Sequence, residues 1–238
     1  MRTIVHFLRA VPVAALIISI GAQEVSIPDA GLNAAIRETL HKPGGSLTQQ
    51  DLLSLTNLDA SRREIRSVEG LEAARNLTFV DLHQNRLGSF SLPGALTELR
   101  AIDLSLNGLT NCVIPSHLTN LAAVILEANG LTSIDLPASL TSLTWLNLAN
   151  NQITNLSLPS NLTNLFVLDL GFNSLTDFSL PGPLPKLARL SIPGNKLASF
   201  TVPEGLTALN DIDLSQNELT SVSLPTGMTN LFKLNFFY

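Results

Sequence analysis

Apolar residues along this chain recur in a fixed phase, not in blocks. One unit runs Leu143, Leu146, Leu148, Asn151 and Ile153, then continues through Leu156, Leu158, Pro159 and Leu162. The next runs Leu165, Leu168, Leu170, Asn173 and Leu175, with Phe178 standing where its predecessor has Leu156. Asn85, Asn107, Asn129, Asn151, Asn173, Asn195 and Asn217 fall 22 residues apart without one insertion or deletion. A Leu-x-Leu alternation predicts a short strand with two side chains turned inward and their neighbours outward. Stacking the copies predicts a parallel sheet with strands about 4.8 Å apart. The inward asparagine amide carries donors and acceptors for the backbone groups that the following turn leaves unpaired. A structural role for that column follows, not a catalytic one.

The second half of each unit also alternates. Ser89–Pro93, Ser133–Pro137 and Asp177–Pro181 place apolar residues at every other position and end on proline, which predicts extended return segments with period two instead of 3.6. An eighth, earlier copy begins at Leu55, with Leu58, Ala60 and Ile65 in phase and Arg63 at the asparagine position; a partial ninth closes the chain at Leu231, Leu234 and Phe236. Residues 23–54 do not repeat. Leu32, Ile36 and Leu40 mark one face of a helix beginning near Asp29, and Thr48 with Asp51 forms a capping box for a second, short helix. Cys112 occupies the position of Phe90, Ile134 and Phe178 in neighbouring copies and reads as a small buried hydrophobe. Being the sole cysteine, it cannot form an internal disulfide.

The spacing is the LxxLxLxxNxL pattern of leucine-rich repeats. With a helical cap running into 22-residue units, the chain resembles the internalin-like surface proteins of bacteria. The segment Leu55 to Ser61, continuing through Ile65, Gly70-Leu71-Glu72 and Asn76-Leu77-Thr78, is similar to their first repeat. The resemblance implies a mostly β leucine-rich-repeat solenoid with a parallel concave sheet, extended convex segments and a small N-terminal helical cap. It implies no single ligand, since members of that family bind different partners through the concave face. The Ser-x-Leu-Pro return limb departs from the short helical turn that internalins favour. The expected organisation is a signal peptide over 1–22, the cap over 23–54, and repeats over 55–238 in eight full copies plus the partial ninth.

Charge narrows the partners. The 14 Lys and Arg against 19 Asp and Glu give −5; loss of Arg2 and Arg9 with residues 1–22 makes this −7. No basic run exists to attract nucleic acid or an anionic membrane. Residues 1–22 combine Arg2 and Arg9 with an apolar run from Ala10 to Ile20 and small residues at Gly21 and Ala22, as an export signal does. That run is short of a bilayer span, so no spanning domain is expected in the mature form and a secreted or cell-surface location is.

Function is expected on outward columns of the concave sheet. One contains Phe79, Trp145, Val167 and Arg189; the next contains Asp81, Asp103, Asp169 and Asp213, an acidic ladder. Trp145 is the only tryptophan, and aromatics and arginine are enriched at interface hot spots. His83 beside Asp81 and Asp103 offers one imidazole, too few converging ligands for zinc, so solvated surface is the better reading and no metal or cofactor is expected. Pro193 is expected to remove one donor from the concave sheet. The sequence thus predicts a non-enzymatic extracellular module binding a protein or glycan partner on its concave face. The alternative is a structural or adhesive segment that self-associates end to end through an uncapped last coil at Phe236 to Tyr238.

Overall fold

A computed structural model describes residues 23–182 and 184–237. The export-signal expectation for 1–22 lies outside the described residues. Helix α1 (Ala30–Thr39) starts at Asp29, whose carboxylate accepts the Leu32 N–H at 3.0 Å, and buries Leu32, Ala35 and Ile36. Helix α2 (Gln49–Leu53) carries the predicted capping box: Thr48 Oγ1 accepts the Asp51 N–H, and Asp51 Oδ2 accepts the Thr48 N–H at 2.8 Å. Helix α1 packs on the first coil, and Arg63, where later coils have asparagine, reaches back to Glu38 at 2.6 Å. Gly70 holds a left-handed φ of 90° at a point where a Cβ would collide with the Ser26 carbonyl.

Thirteen three-residue strands follow in chain order: β1 (Asn57–Asp59), β2 (Phe79–Asp81), β3 (Ser89–Ser91), β4 (Ala101–Asp103), β5 (Asn111–Val113), β6 (Ala123–Ile125) and β7 (Trp145–Asn147). The rest are β8 (Val167–Asp169), β9 (Arg189–Ser191), β10 (Ser199–Thr201), β11 (Asp211–Asp213), β12 (Ser221–Ser223) and β13 (Lys233–Asn235). Nine of them, β1, β2, β4, β6, β7, β8, β9, β11 and β13, form one parallel sheet in that order. Every pairing is displaced by one whole repeat, so residue 79 faces 101, then 123, then 145. On the far side β3 pairs β5 and β10 pairs β12, also in parallel, and the return limbs are extended as their alternation predicts. The chain is a β solenoid of about eight turns, and among the described residues outside α1 and α2 its helical structure is the 3-10 turn Leu71–Ala73.

Each coil closes on its inward apolar residues. In the fifth coil Leu143, Leu146, Leu148, Ile153, Leu156, Leu158 and Leu162 are all buried, each at roughly 1.5–3 kcal/mol of transfer free energy. The asparagine column runs beside this core. Asn151 Nδ2 donates to the Leu126, Leu148 and Ala149 carbonyls at 2.9, 3.0 and 3.2 Å, while its Oδ1 accepts the Leu131 N–H at 3.0 Å. The oxygen of each column asparagine accepts an N–H from the preceding coil except at Asn107, where the backbone departs through a left-handed Gly88. Outside the core, Asn76, Asn120, Asn164 and Asn230, each followed by an inward leucine, donate to carbonyls 23 residues earlier, which explains why Asn-Leu recurs ahead of the sheet strands.

Replacing Asn151 by alanine leaves several buried backbone groups unpaired, and each unmet group costs roughly 1–3 kcal/mol. Urea denaturation should show a loss of about 2–4 kcal/mol for Asn151→Ala and a smaller one for Asn164→Ala, whose half-buried amide donates a single bond, to the Thr141 carbonyl. The Lys42 ammonium beside Asp51, with the Thr48 hydroxyl and N–H, holds the Asp51 carboxyl down at about 2 against an ordinary 3.8. A depressed carboxyl contributes stability above its unfolded pKa and loses it as pH falls through the folded value. Between about pH 4 and pH 2 the stability of Asp51→Asn should therefore fall less steeply than that of the parent, as read by thermal melting.

Candidate functional site

The concave sheet presents three outward columns because its inward alternate positions are taken by leucine, isoleucine and valine. Trp145, Val167 and Arg189 are direct register partners on β7, β8 and β9, so the structure brings these three predicted residues together. Trp145 is 46% exposed, Val167 is half-buried, and the exposed Arg189 lies 3.4 Å from Asp211. Phe79, 40% exposed, stands on β2, three strands from Trp145 across Ala101 and Ala123.

The acidic column is not one continuous ladder. Asp81 and Asp103 are register partners, but Ile125 and Asn147 intervene before Asp169, and Ser191 separates Asp169 from Asp213. A further acid precedes Asp81: Asp59 faces it on β1, 22 residues earlier, a spacing visible in the sequence. Its carboxyl is held below the usual range by the Ser61 N–H and hydroxyl. These aspartates share a local task. Asp59, Asp81, Asp103, Asp169 and Asp213 each use Oδ1 to accept the N–H two residues on, at 2.9–3.0 Å, and so cap the turn leaving the strand. Asn147 does the same for Ala149.

That capping bond corrects the reading of Pro193. In the coils with Asp or Asn two residues earlier, the N–H at its position is spent on that side chain and not on a neighbouring strand. Proline therefore removes no sheet bond, and its ring packs against Gly171 instead. Two exposed aromatics also escape a reading by columns. Phe166 precedes β8, and Phe172, with a left-handed φ of 54°, lays its ring over Gly194. Glu127 is held by the amides of Asn147 and Asn150 from the next coil.

Asp81, His83 and Asp103 bring one possible ligand atom each within 4.8 Å of one another. Asp81 Oδ1 already accepts from the His83 backbone and faces its Nδ1 at 2.8 Å, and Asp103 Oδ1 accepts both donors of Ser105. The group concentrates negative charge at the N-terminal part of the concave face. Cys112 lies apart from this group, buried opposite Phe90, and burial pushes its thiol up to about 12.

An alternation of concave parallel strands and extended return limbs, turned on buried asparagines, defines a leucine-rich-repeat solenoid. Leucine-rich repeats in two copies match residues 141–182, and a BspA-type leucine-rich repeat region in six copies matches residues 171–238. Internalin C2 from Listeria monocytogenes is 25% identical with a TM-score of 0.57, over 83% of this chain and 94% of that one. A leucine-rich-repeat protein of Leptospira interrogans is 27% identical with a TM-score of 0.66, over 80% of this chain and 50% of its own length. The functional domain of InlJ from Listeria monocytogenes, which includes a cysteine ladder, is 20% identical with a TM-score of 0.54 over 90% of this chain and 64% of that one; it attests the fold alone. Comparison with curated proteins found no match. The chain carries leucine-rich repeats and is similar to the internalin-like leucine-rich-repeat proteins of bacteria. Such a scaffold is in general a protein-interaction module without enzymatic activity of its own. Among the described residues no helix is long and apolar enough to cross a membrane.

Burial of Cys112 has a direct consequence. At about pH 8 a disulfide reagent such as DTNB should leave the native thiol untouched and titrate it fully in concentrated urea; rapid reaction of the native protein would contradict the packing.

Proposed function

We propose that this protein is a non-enzymatic recognition module, secreted or displayed at the cell surface, that binds a protein or glycan partner on its concave face. On this reading residues 1–22 are a removable export signal, 23–54 a cap, and 55–238 the repeats that carry the surface. One observation carries it: the chain's only tryptophan stands half-exposed on an outward column, in register with Val167 and Arg189. A large aromatic left in water on a sheet otherwise built for burial has the character of an interface anchor. A second reading, assembly through the last coil, is supported by Phe232, Phe236 and Phe237, of which Phe232 is 81% exposed, beside a groove lined by Leu219, Val222 and Leu224.

The deciding experiment immobilises the protein and offers it cell-surface proteins and polysaccharides, with a Trp145→Ala/Arg189→Ala double variant alongside. Loss of a hot spot worth about 2 kcal/mol or more should weaken capture at least ~30-fold. Capture equal in both proteins would reject the concave reading. Concentration-dependent oligomers abolished by Phe232→Ser/Phe236→Ser would favour assembly.

A further inference from the structure

The concave face is uneven in a way that specifies chemistry. Along its first column Phe79, Ala101, Ala123 and Trp145 are consecutive register partners. Two exposed aromatics thus stand about three strand spacings apart, roughly 14 Å, with two alanines as the floor between them. The result is a shallow apolar trough open to solvent on one side. On the next column Asp81 and Asp103 lie beside Phe79 and Ala101, with Asp59 one strand before them; the three face one another across adjacent strands and place like charges about one strand spacing apart.

The fold does not require those charges. Turn capping uses only one carboxylate oxygen, Asn147 performs it with a neutral amide, and Ile125 and Ser191 occupy the same column without a carboxylate. Among the described residues no lysine or arginine is paired with Asp59, Asp81 or Asp103; the single ion-pair partner is His83. At the other end of the sheet the contrast is plain, because Asp211 is flanked by Arg189 and Lys233 at 3.4 and 3.3 Å. Arg63 and His83 act on Asp59 only at longer range, so one stretch of the face carries negative charge with no lysine or arginine in contact, alongside an apolar step. Electrostatic complementarity calls for positive charge next to an apolar anchor. A neutral sugar leaves the carboxylates unmatched, and anionic polymers are repelled.

We infer that the occupant of this face is a basic, amphipathic polypeptide segment. A large apolar side chain of that segment seats over Ala101 and Ala123 between Phe79 and Trp145, and its Lys or Arg residues meet Asp59, Asp81 and Asp103. The inference rests on the concave-face reading above and narrows it to one class of partner.

The test selects random 12-residue peptides displayed on phage against the full protein. It repeats the selection against Asp59→Asn/Asp81→Asn/Asp103→Asn, which keeps the turn caps in the manner of Asn147. A recovered peptide is then titrated while the fluorescence of Trp145 is followed; as the only tryptophan, it reports on this trough alone. The expected outcome is recovery of peptides rich in Lys or Arg with an apolar residue among them. Their binding should shift Trp145 emission, weaken at least ~10-fold in the triple-Asn variant, and weaken again as salt screens the carboxylates. Ala101→Leu, which fills the floor, should also reduce binding while leaving the melting temperature of the fold in place. Recovery of no peptide, of peptides without basic enrichment, or of peptides that bind the triple-Asn variant equally well would overturn the inference. If capture still depends on Trp145 but ignores the three aspartates, or selects a polysaccharide, the concave-face reading survives and this one falls. Capture that ignores Trp145 removes both.

Discussion

Each coil of this solenoid must reverse direction within a few residues, and the buried asparagine makes that reversal affordable. The residue just before it is left-handed in coil after coil: Gln84, Leu106, Ala128, Asn150, Phe172 and Gln216 all hold φ between 54° and 57°. An L-residue in that conformation costs roughly 1–2 kcal/mol. The amide that follows donates to three carbonyls and, in six of the seven coils, accepts an N–H from the coil before. At about 1 kcal/mol net for each bond made, and more for each buried group that would otherwise be orphaned, the amide outweighs the strain it secures. Its reach also fixes the period. A donor that must find a carbonyl 25 residues back and an acceptor that must find an N–H 20 residues back leave no room for an inserted residue.

Strict periodicity has a consequence for the surface. Because every strand pairs with its neighbour at the same offset, outward residues fall into straight columns, and changing one alters the chemistry of one cell in a grid without disturbing the others. The Asp of the second column illustrates how much freedom remains. One oxygen serves the turn, and the cap does not use the other. Where the turn needs only an acceptor, asparagine suffices, and where it tolerates none, isoleucine appears. Charge in this column is thus separable from folding.

The same logic explains which features were legible beforehand. Residues that act inward within the period could be read directly: the asparagine column, Cys112 opposite Phe90, the capping box of Thr48 and Asp51, and the extended return limbs. The misreading of Pro193 arose because strand position alone does not reveal that its N–H would have gone to a side chain. Phe172 over Gly194 and Glu127 between Asn147 and Asn150 depend on contacts between coils at positions the period leaves free. Asp59 was passed over for a different reason. It stands in the copy that begins at Leu55, where Arg63 replaces the asparagine, one strand before the columns that start at Phe79 and Asp81.

Fold and function are consequently written in different residues of the same 22. Inward positions are nearly constant, since any one of them must match the coil on either side, and they carry no information about a partner. Outward positions are free of that demand, so a departure from small and polar residues there needs a cause outside the fold. Phe79 and Trp145 are such departures: each exposes an aromatic that packing does not use, and both flank alanines that packing does not require to be small. A stack selected only to be a stable spacer would have no reason to keep an aromatic on each side of an alanine floor or to set three carboxylates along its edge with no lysine or arginine in contact. The cost of those choices in water, exposed apolar area and like-charge repulsion, would be relieved by a partner that is apolar and positively charged, as proposed above.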